Sequence, residues 1–175
     1  MEALKTNPEL PTQPEELMNL LTHLGISHVL YEHEAIFTVE EGEHLKKEIP
    51  GQHTRNLFLR NKKKQMFLVT LCDNTEVDLK KLSERLEVQR FSFGSPDRLM
   101  EFLGVTPGSV TPFSIINDTA LAVQPIWDAR MMDADLVGYH PLINDKTITL
   151  KPEDLHKFAA HTGHTPMVMD FSDLA

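Results

Sequence analysis

The stretch Asn56-Leu57-Phe58-Leu59-Arg60-Asn61-Lys62-Lys63-Lys64-Gln65-Met66-Phe67-Leu68-Val69-Thr70-Leu71-Cys72 decides how this chain is read. Two apolar runs, residues 56–60 and 65–72, flank the polar quartet 61–64. Apolar runs of strand length on either side of a polar turn predict an antiparallel hairpin. The lysines of the quartet fit a solvated turn. A hairpin among interspersed helices and strands argues for a mixed α/β sheet, not a strictly alternating parallel one.

Toward the N-terminus, residues 14–24 predict a helix. Pro14 suits its first turn, Glu15 and Glu16 suit its positive end, and Gly25 stops it. Leu17, Leu20, Leu21 and Leu24 then share one face. Residues before Thr12 read as a loose tail. Residues 28–34 read as a strand, and Thr38-Val39-Glu40-Glu41 has capping-box spacing that opens a second short helix, ended by Pro50-Gly51.

Toward the C-terminus, 78–86 reads as a helix and 90–93 as a short strand. Ser95 and Pro96 start a helix that runs to Leu103 and stops at Gly104. A loop over 105–112 leads to two strands, 113–116 and 121–127, joined by a turn at Asn117-Asp118-Thr119. A short helical connection at 131–135 precedes strands at 136–140 and 147–150, a helix at 152–161 and a final strand at 167–171. No repeat or linker divides the 175 residues, so one domain spanning 1–175, with 1–12 as its tail, is expected.

Composition narrows the class. Apolar residues at 41% and charged residues at 25% are ordinary for a folded domain. No run approaches the roughly 20 apolar residues that span a bilayer, and the polar, proline-rich start lacks the apolar core of a signal peptide. A cytoplasmic protein is the expectation. The net charge of −9 argues against a general nucleic-acid binder and against DNA as a partner. It is unevenly spread: residues 46–98 hold 12 basic and 7 acidic side chains, and the rest holds 5 and 19. The basic middle is compatible with facing phosphates or with plain solvated surface.

Familiar chemistry is missing. There is no GxGxxG, no GxxxxGK[ST] and no GxSxG. Cys72, the single cysteine, sits inside an apolar run and reads as a small apolar strand residue rather than a reactive thiol. Of nine histidines, only His161 and His164 are close, and they straddle a helix end, so they share no helical face. A histidine there is explained by the helix dipole. Asp133 and Asp135 fit a solvated loop. Neither a metal nor a cofactor is expected.

Several segments, taken in order, carry a resemblance. These are Glu34-Ala35-Ile36-Phe37-Thr38-Val39-Glu40-Glu41; His53-Thr54-Arg55-Asn56-Leu57-Phe58-Leu59; Phe93-Gly94-Ser95-Pro96; Leu103-Gly104-Val105-Thr106-Pro107-Gly108-Ser109-Val110-Thr111-Pro112-Phe113; Ile116-Asn117-Asp118; Gly138-Tyr139-His140-Pro141-Leu142; and Gly163-His164-Thr165-Pro166. Together they resemble the YbaK/ProX aminoacyl-tRNA editing superfamily, which includes the editing insertion of bacterial prolyl-tRNA synthetase. The resemblance implies a mixed, barrel-like β-sheet flanked by helices. It implies a freestanding hydrolase that removes alanine wrongly attached to proline tRNA. Its partner is then the acceptor end of proline tRNA, delivered by a synthetase or an elongation factor. A deacylase of cysteinyl-tRNA and a silent tRNA- or synthetase-binding relative are the alternatives.

The chemistry behind that implication is simple. A proline site cannot fully exclude the smaller alanine, because each methylene supplies only about 1–3 kcal/mol of discrimination. A second, hydrolytic site restores fidelity. An aminoacyl ester is already activated, so a positioned water, helped by the neighbouring ribose hydroxyl, and backbone N–H groups at the oxyanion suffice. By resemblance Gly138 and Pro141 form a substrate loop, in which glycine permits close backbone approach and proline stiffens the turn. His140 orients the ester or the water. Asn56 hydrogen-bonds the substrate or fixes the loop. Ile36, Phe37 and Leu57 wall the alanine pocket, with Thr54 and Tyr139 also counted as substrate-binding. Arg55 replaces the family's lysine. Arginine cannot serve as a base, but its fork suits phosphate, so a binding role is expected for it.

Overall fold

The computed structural model describes residues 10–175. The expected tail lies mostly on residues 1–9, outside the described residues. Its end is packed: Leu10 is buried, and the Thr12 hydroxyl donates to Asn117 Oδ1 at 2.6 Å.

The hairpin forms as its sequence predicts. Strand β2 (Thr54–Arg60) pairs antiparallel with β3 (Met66–Cys72) across the turn. All of β3 is buried, because it is an inner strand with both faces covered. Leu68 and Cys72 pack into one core cluster, while Phe67, Val69 and Leu71 pack into another on the opposite face. That is why its sequence reads as a continuous apolar run rather than an alternating one. The five-stranded sheet is completed by β4 (Ser92–Phe93), by β5 (Val123–Asp128), parallel to β3, and by β8 (Met167–Met169), in the order β4-β2-β3-β5-β8.

A second, three-stranded sheet holds β1 (Val29–Glu32), β7 (Lys146–Leu150) and β6 (Val137–Tyr139), in the order β1-β7-β6 and antiparallel throughout. The mixed α/β class is therefore as expected. The strands divide into two sheets, however, and among the described residues no closed barrel forms. The sheets touch where Gln52 bridges Val137. Gln52 N donates to Leu136 O at 2.8 Å, and Gly138 N donates to Gln52 O at 3.0 Å.

Helix α1 (Pro14–His23) buries Leu17 and Leu21 and stops before Gly25, which has a positive φ. The second helix predicted from the capping box is two four-residue pieces, α2 (Val39–Gly42) and α3 (Leu45–Glu48), the first capped by Thr38. Helix α4 (Leu79–Arg85) is capped by Asp78, and α5 (Pro96–Leu103) is capped by Ser95 and ended by left-handed Gly104. Helix α6 (Ala129–Met132) begins two residues before the predicted connection, and α7 (Pro152–Thr162) follows β7.

One predicted strand is corrected. Residues 113–116 lie in a 3-10 helix, Pro112–Asn117. Thr111 and Ser114 cap it reciprocally, and Pro112 presets its first turn. A short, largely buried run of this kind carries no period that separates strand from helix. Phe113 anchors this turn, with edge-on contacts to Tyr139 (5.6 Å) and Phe158 (5.1 Å). Among the described residues no helix is long and apolar enough to cross a membrane.

Candidate active site

A cleft of about 320 Å³ opens where the two sheets meet. The start of β2 brings Thr54, Arg55 and Asn56, and β6 brings Gly138 and Tyr139, with His140 just beyond it. Thr147 enters from β7, Ile36 and Phe37 from the segment before α2, and Gly108 and Val110 from the loop after α5. Eight of the residues singled out from sequence thus border one cavity: Ile36, Phe37, Thr54, Arg55, Asn56, Gly138, Tyr139 and His140.

Leu57 and Pro141 do not border it. Leu57 packs against the core cluster on the other face of the sheet, because adjacent strand residues point to opposite sides. Pro141 is buried behind the strand end. Tyr139 contributes no free hydroxyl. Its ring is buried and its O–H donates to Met131 Sδ at 3.1 Å. Phe37 is 69% exposed and sits on the rim rather than in a wall.

His140 has a defined proton. Its Nδ1 lies 2.8 Å from the carbonyl of Lys146, and a carbonyl only accepts, so Nδ1 carries the hydrogen. Burial pushes the ring's pKa below its ordinary 6.5, so the ring is neutral at pH 7. Nε2 then holds a lone pair, and among the described residues it has no hydrogen-bond partner. His33 stands beside it, with ring centroids 6.2 Å apart. The Thr147 hydroxyl lies 2.8 Å from His33 Nε2.

Asn56 is held from two sides. Its Nδ2 donates to Val110 O at 3.0 Å, and its Oδ1 accepts from the Thr70 hydroxyl at 2.7 Å. It therefore ties the 105–111 loop to the sheet, and one Nδ2 hydrogen is left over. The Thr54 hydroxyl donates to Gly138 O at 2.7 Å. Since Gly138 N is bonded to Gln52, the backbone N–H and C=O of Gly138 are both engaged. What Gly138 offers the cleft is a missing side chain: a Cβ there would stand 3.3 Å from the Thr147 methyl.

Arg55 Nη2 donates to Thr75 O at 2.6 Å. Thr75 is itself fixed by its hydroxyl, which donates to the buried carboxylate of Asp128 at 2.6 Å. One end of the guanidinium is thus anchored, and its other N–H groups remain donors. Cys72 is fully buried, and burial pushes its thiol up to about 11, so it is not a nucleophile. His164 is also structural, with Nε2 2.8 Å from Asp118 Oδ2 inside the core.

Sequence reasoning missed Lys46, Asp73 and Thr147. Lys46 Nζ lies 2.9 Å from Asp73 Oδ2 and 3.0 Å from Glu43 Oε1. Both partners hold its pKa above the ordinary lysine value, Asp73 the more strongly. Gly108 and Val110 were within quoted motifs, but no signal there tied them to the cleft.

The chain is similar to known proteins along most of its length. Residues 33–158 match the aminoacyl-tRNA editing domain family. The chain is 36% identical over 146 residues to the prolyl-tRNA editing protein ProX of Acetoanaerobium sticklandii, covering 83% of this chain and 89% of that one. It is 33% identical over 159 residues to prolyl-tRNA synthetase associated domain-containing protein 1 of Danio rerio, covering 90% and 86%. A crystal structure described as a proposed trans-editing enzyme for prolyl tRNA synthetase superimposes with a TM-score of 0.69 at 16% identity, over 95% of this chain and 99% of that one.

Proposed function

The chain belongs to the aminoacyl-tRNA editing domain family, and we propose that it is a freestanding deacylase that hydrolyses the ester of alanine wrongly attached to proline tRNA. The observation that carries this reading is the neutral His140, with its Nε2 lone pair, in a cleft bordered by Asn56 and Arg55 and, among the described residues, by no cysteine or serine.

In this reading the aminoacyl end enters between the two sheets. Ile36, Leu45 and Val110 give the apolar surface that meets the alanine methyl. The open face of Gly138 lets the ester approach the backbone. His140 Nε2 accepts a hydrogen bond from the attacking water or from the ribose hydroxyl beside the ester. Water adds to the carbonyl carbon, the C–O bond to the ribose breaks, and alanine leaves as a carboxylic acid while the ribose oxygen takes a proton. The spare Nδ2 hydrogen of Asn56 and the free donors of Arg55 face the charge that develops on the carbonyl oxygen and the terminal nucleotide. Phe37 on the rim offers a ring face to the terminal base, a contact worth about 1–3 kcal/mol by alanine substitution in single-stranded complexes.

Two substitutions test this. His140→Ala is expected to lower kcat on alanyl-tRNA(Pro) by about 10²-fold or more. Arg55→Lys is expected to keep activity and Arg55→Ala to lose it. Full activity in His140→Ala would remove the histidine from the reaction, and full activity in Arg55→Ala would remove that residue from the site.

A further inference from the structure

Lys46 and Asp73 border the same cleft, and no role has been assigned to either. Lys46 projects from α3, a four-residue helix on the rim, and its side chain is 38% exposed. Among the described residues its ammonium is held only by carboxylates, Asp73 at 19% and Glu43 at 58% side-chain exposure. Ion pairs this close to solvent are worth about 0–1 kcal/mol, so an incoming anion exchanges with them at little cost. Arg55 differs, because one end of it is tied to a backbone carbonyl.

Asp73 is more firmly placed. Its Oδ1 accepts from Gln52 Nε2 at 3.2 Å, and its N donates to His53 O at 3.0 Å. Gln52 is the residue that joins the two sheets, so this carboxylate sits at the junction that shapes the cleft. Left bare, it would repel a phosphate at that point. Lys46 neutralises it.

Resting on the deacylase reading for its ligand, we infer that Lys46 is an exchangeable phosphate anchor for the 3′ end of the tRNA, parked on Asp73 when the cleft is empty. On binding, the ammonium moves from the carboxylate to a backbone phosphate near the terminal nucleotide. Asp73 keeps the lysine extended over the cleft and opposes anions that do not displace it.

The two partners then have opposite effects, which a structural latch would not produce. The probe is uncharged proline tRNA ending in CCA, titrated over a range of salt concentrations. Lys46→Ala is expected to weaken binding about tenfold and to reduce the slope of log K against log[salt] by about 0.7–0.9, the value for one phosphate contact. Lys46→Arg should restore the slope. Asp73→Asn should tighten binding. In deacylation, Lys46→Ala should raise KM and leave kcat nearly unchanged. An unchanged slope in Lys46→Ala, or weaker binding in both Lys46→Ala and Asp73→Asn, would overturn the anchor. If the wild-type protein binds this tRNA with a Lys46-dependent slope but releases no aminoacyl group, the anchor stands and the deacylase reading falls.

Discussion

At His140 a carbonyl and a buried ring together set a protonation state, and the consequence is a pH dependence of known sign. The folded-state pKa lies below the ordinary 6.5, so between those two values the unfolded chain binds more protons than the native one. The histidine's contribution to stability is therefore complete above about pH 6.5 and is lost as pH falls from there through the lowered folded value. Urea unfolding at several pH values should show this slope, and His140→Gln should flatten it. Activity should hold down to the lowered pKa, because Nε2 keeps its lone pair until then. An activity profile that breaks above pH 6.5 would contradict the assignment. Alternation along the strands can be read at this scale, yet the expectation that Leu57 walls the pocket beside Asn56 overlooks it. Thr54 and Asn56 alternate with Arg55 and Leu57, so Leu57 packs on the opposite face of the sheet; Arg55 shares its parity but, near the start of the strand, still borders the cleft. The same rule sends the Tyr139 ring into the core beside Val137, although the residue still borders the cleft, while Gly138 and His140 turn to it. Lys46 was not legible, because its reach to Asp73 depends on how a four-residue helix lies against the turn after β3, distant in sequence.

At the scale of elements, local chemistry explains what the sequence revealed. Helices with both a cap and a stop, such as α5 between Ser95 and Gly104, fall where predicted. The turn at Pro112–Asn117 does not, since a buried apolar run carries no period of its own and proline with a reciprocal cap decides the matter. This turn packs the loop that Asn56 holds against the three-stranded sheet and α7, through the contacts of Phe113 with Tyr139 and Phe158. Phe113→Ala should thus destabilise the fold by about 3–5 kcal/mol in denaturant unfolding, as for other buried aromatics. Phe37→Ala, on an exposed rim, should leave stability within about 0.5 kcal/mol. A cost below about 1 kcal/mol for Phe113→Ala would show that the turn does not brace the core.

At the scale of the molecule, two sheets meet at Gln52 and Val137, and the junction itself makes the cleft. The mixed α/β class was legible from one hairpin and its surroundings. The division into two sheets was not, because strand pairing between distant segments leaves no local trace. Function was legible through motifs spread over the chain; the fold gathers eight of the residues singled out from them at one cleft, while Leu57 and Pro141 lie elsewhere. The most direct measurement mixes the purified protein, with no metal added, with proline tRNA charged with alanine, cysteine or proline, and follows loss of the ester. Selective loss of alanine, with the proline ester intact, is the expected result. Preferential loss of cysteine would contradict the alanine assignment, and three intact esters in the presence of folded protein would contradict the deacylase itself.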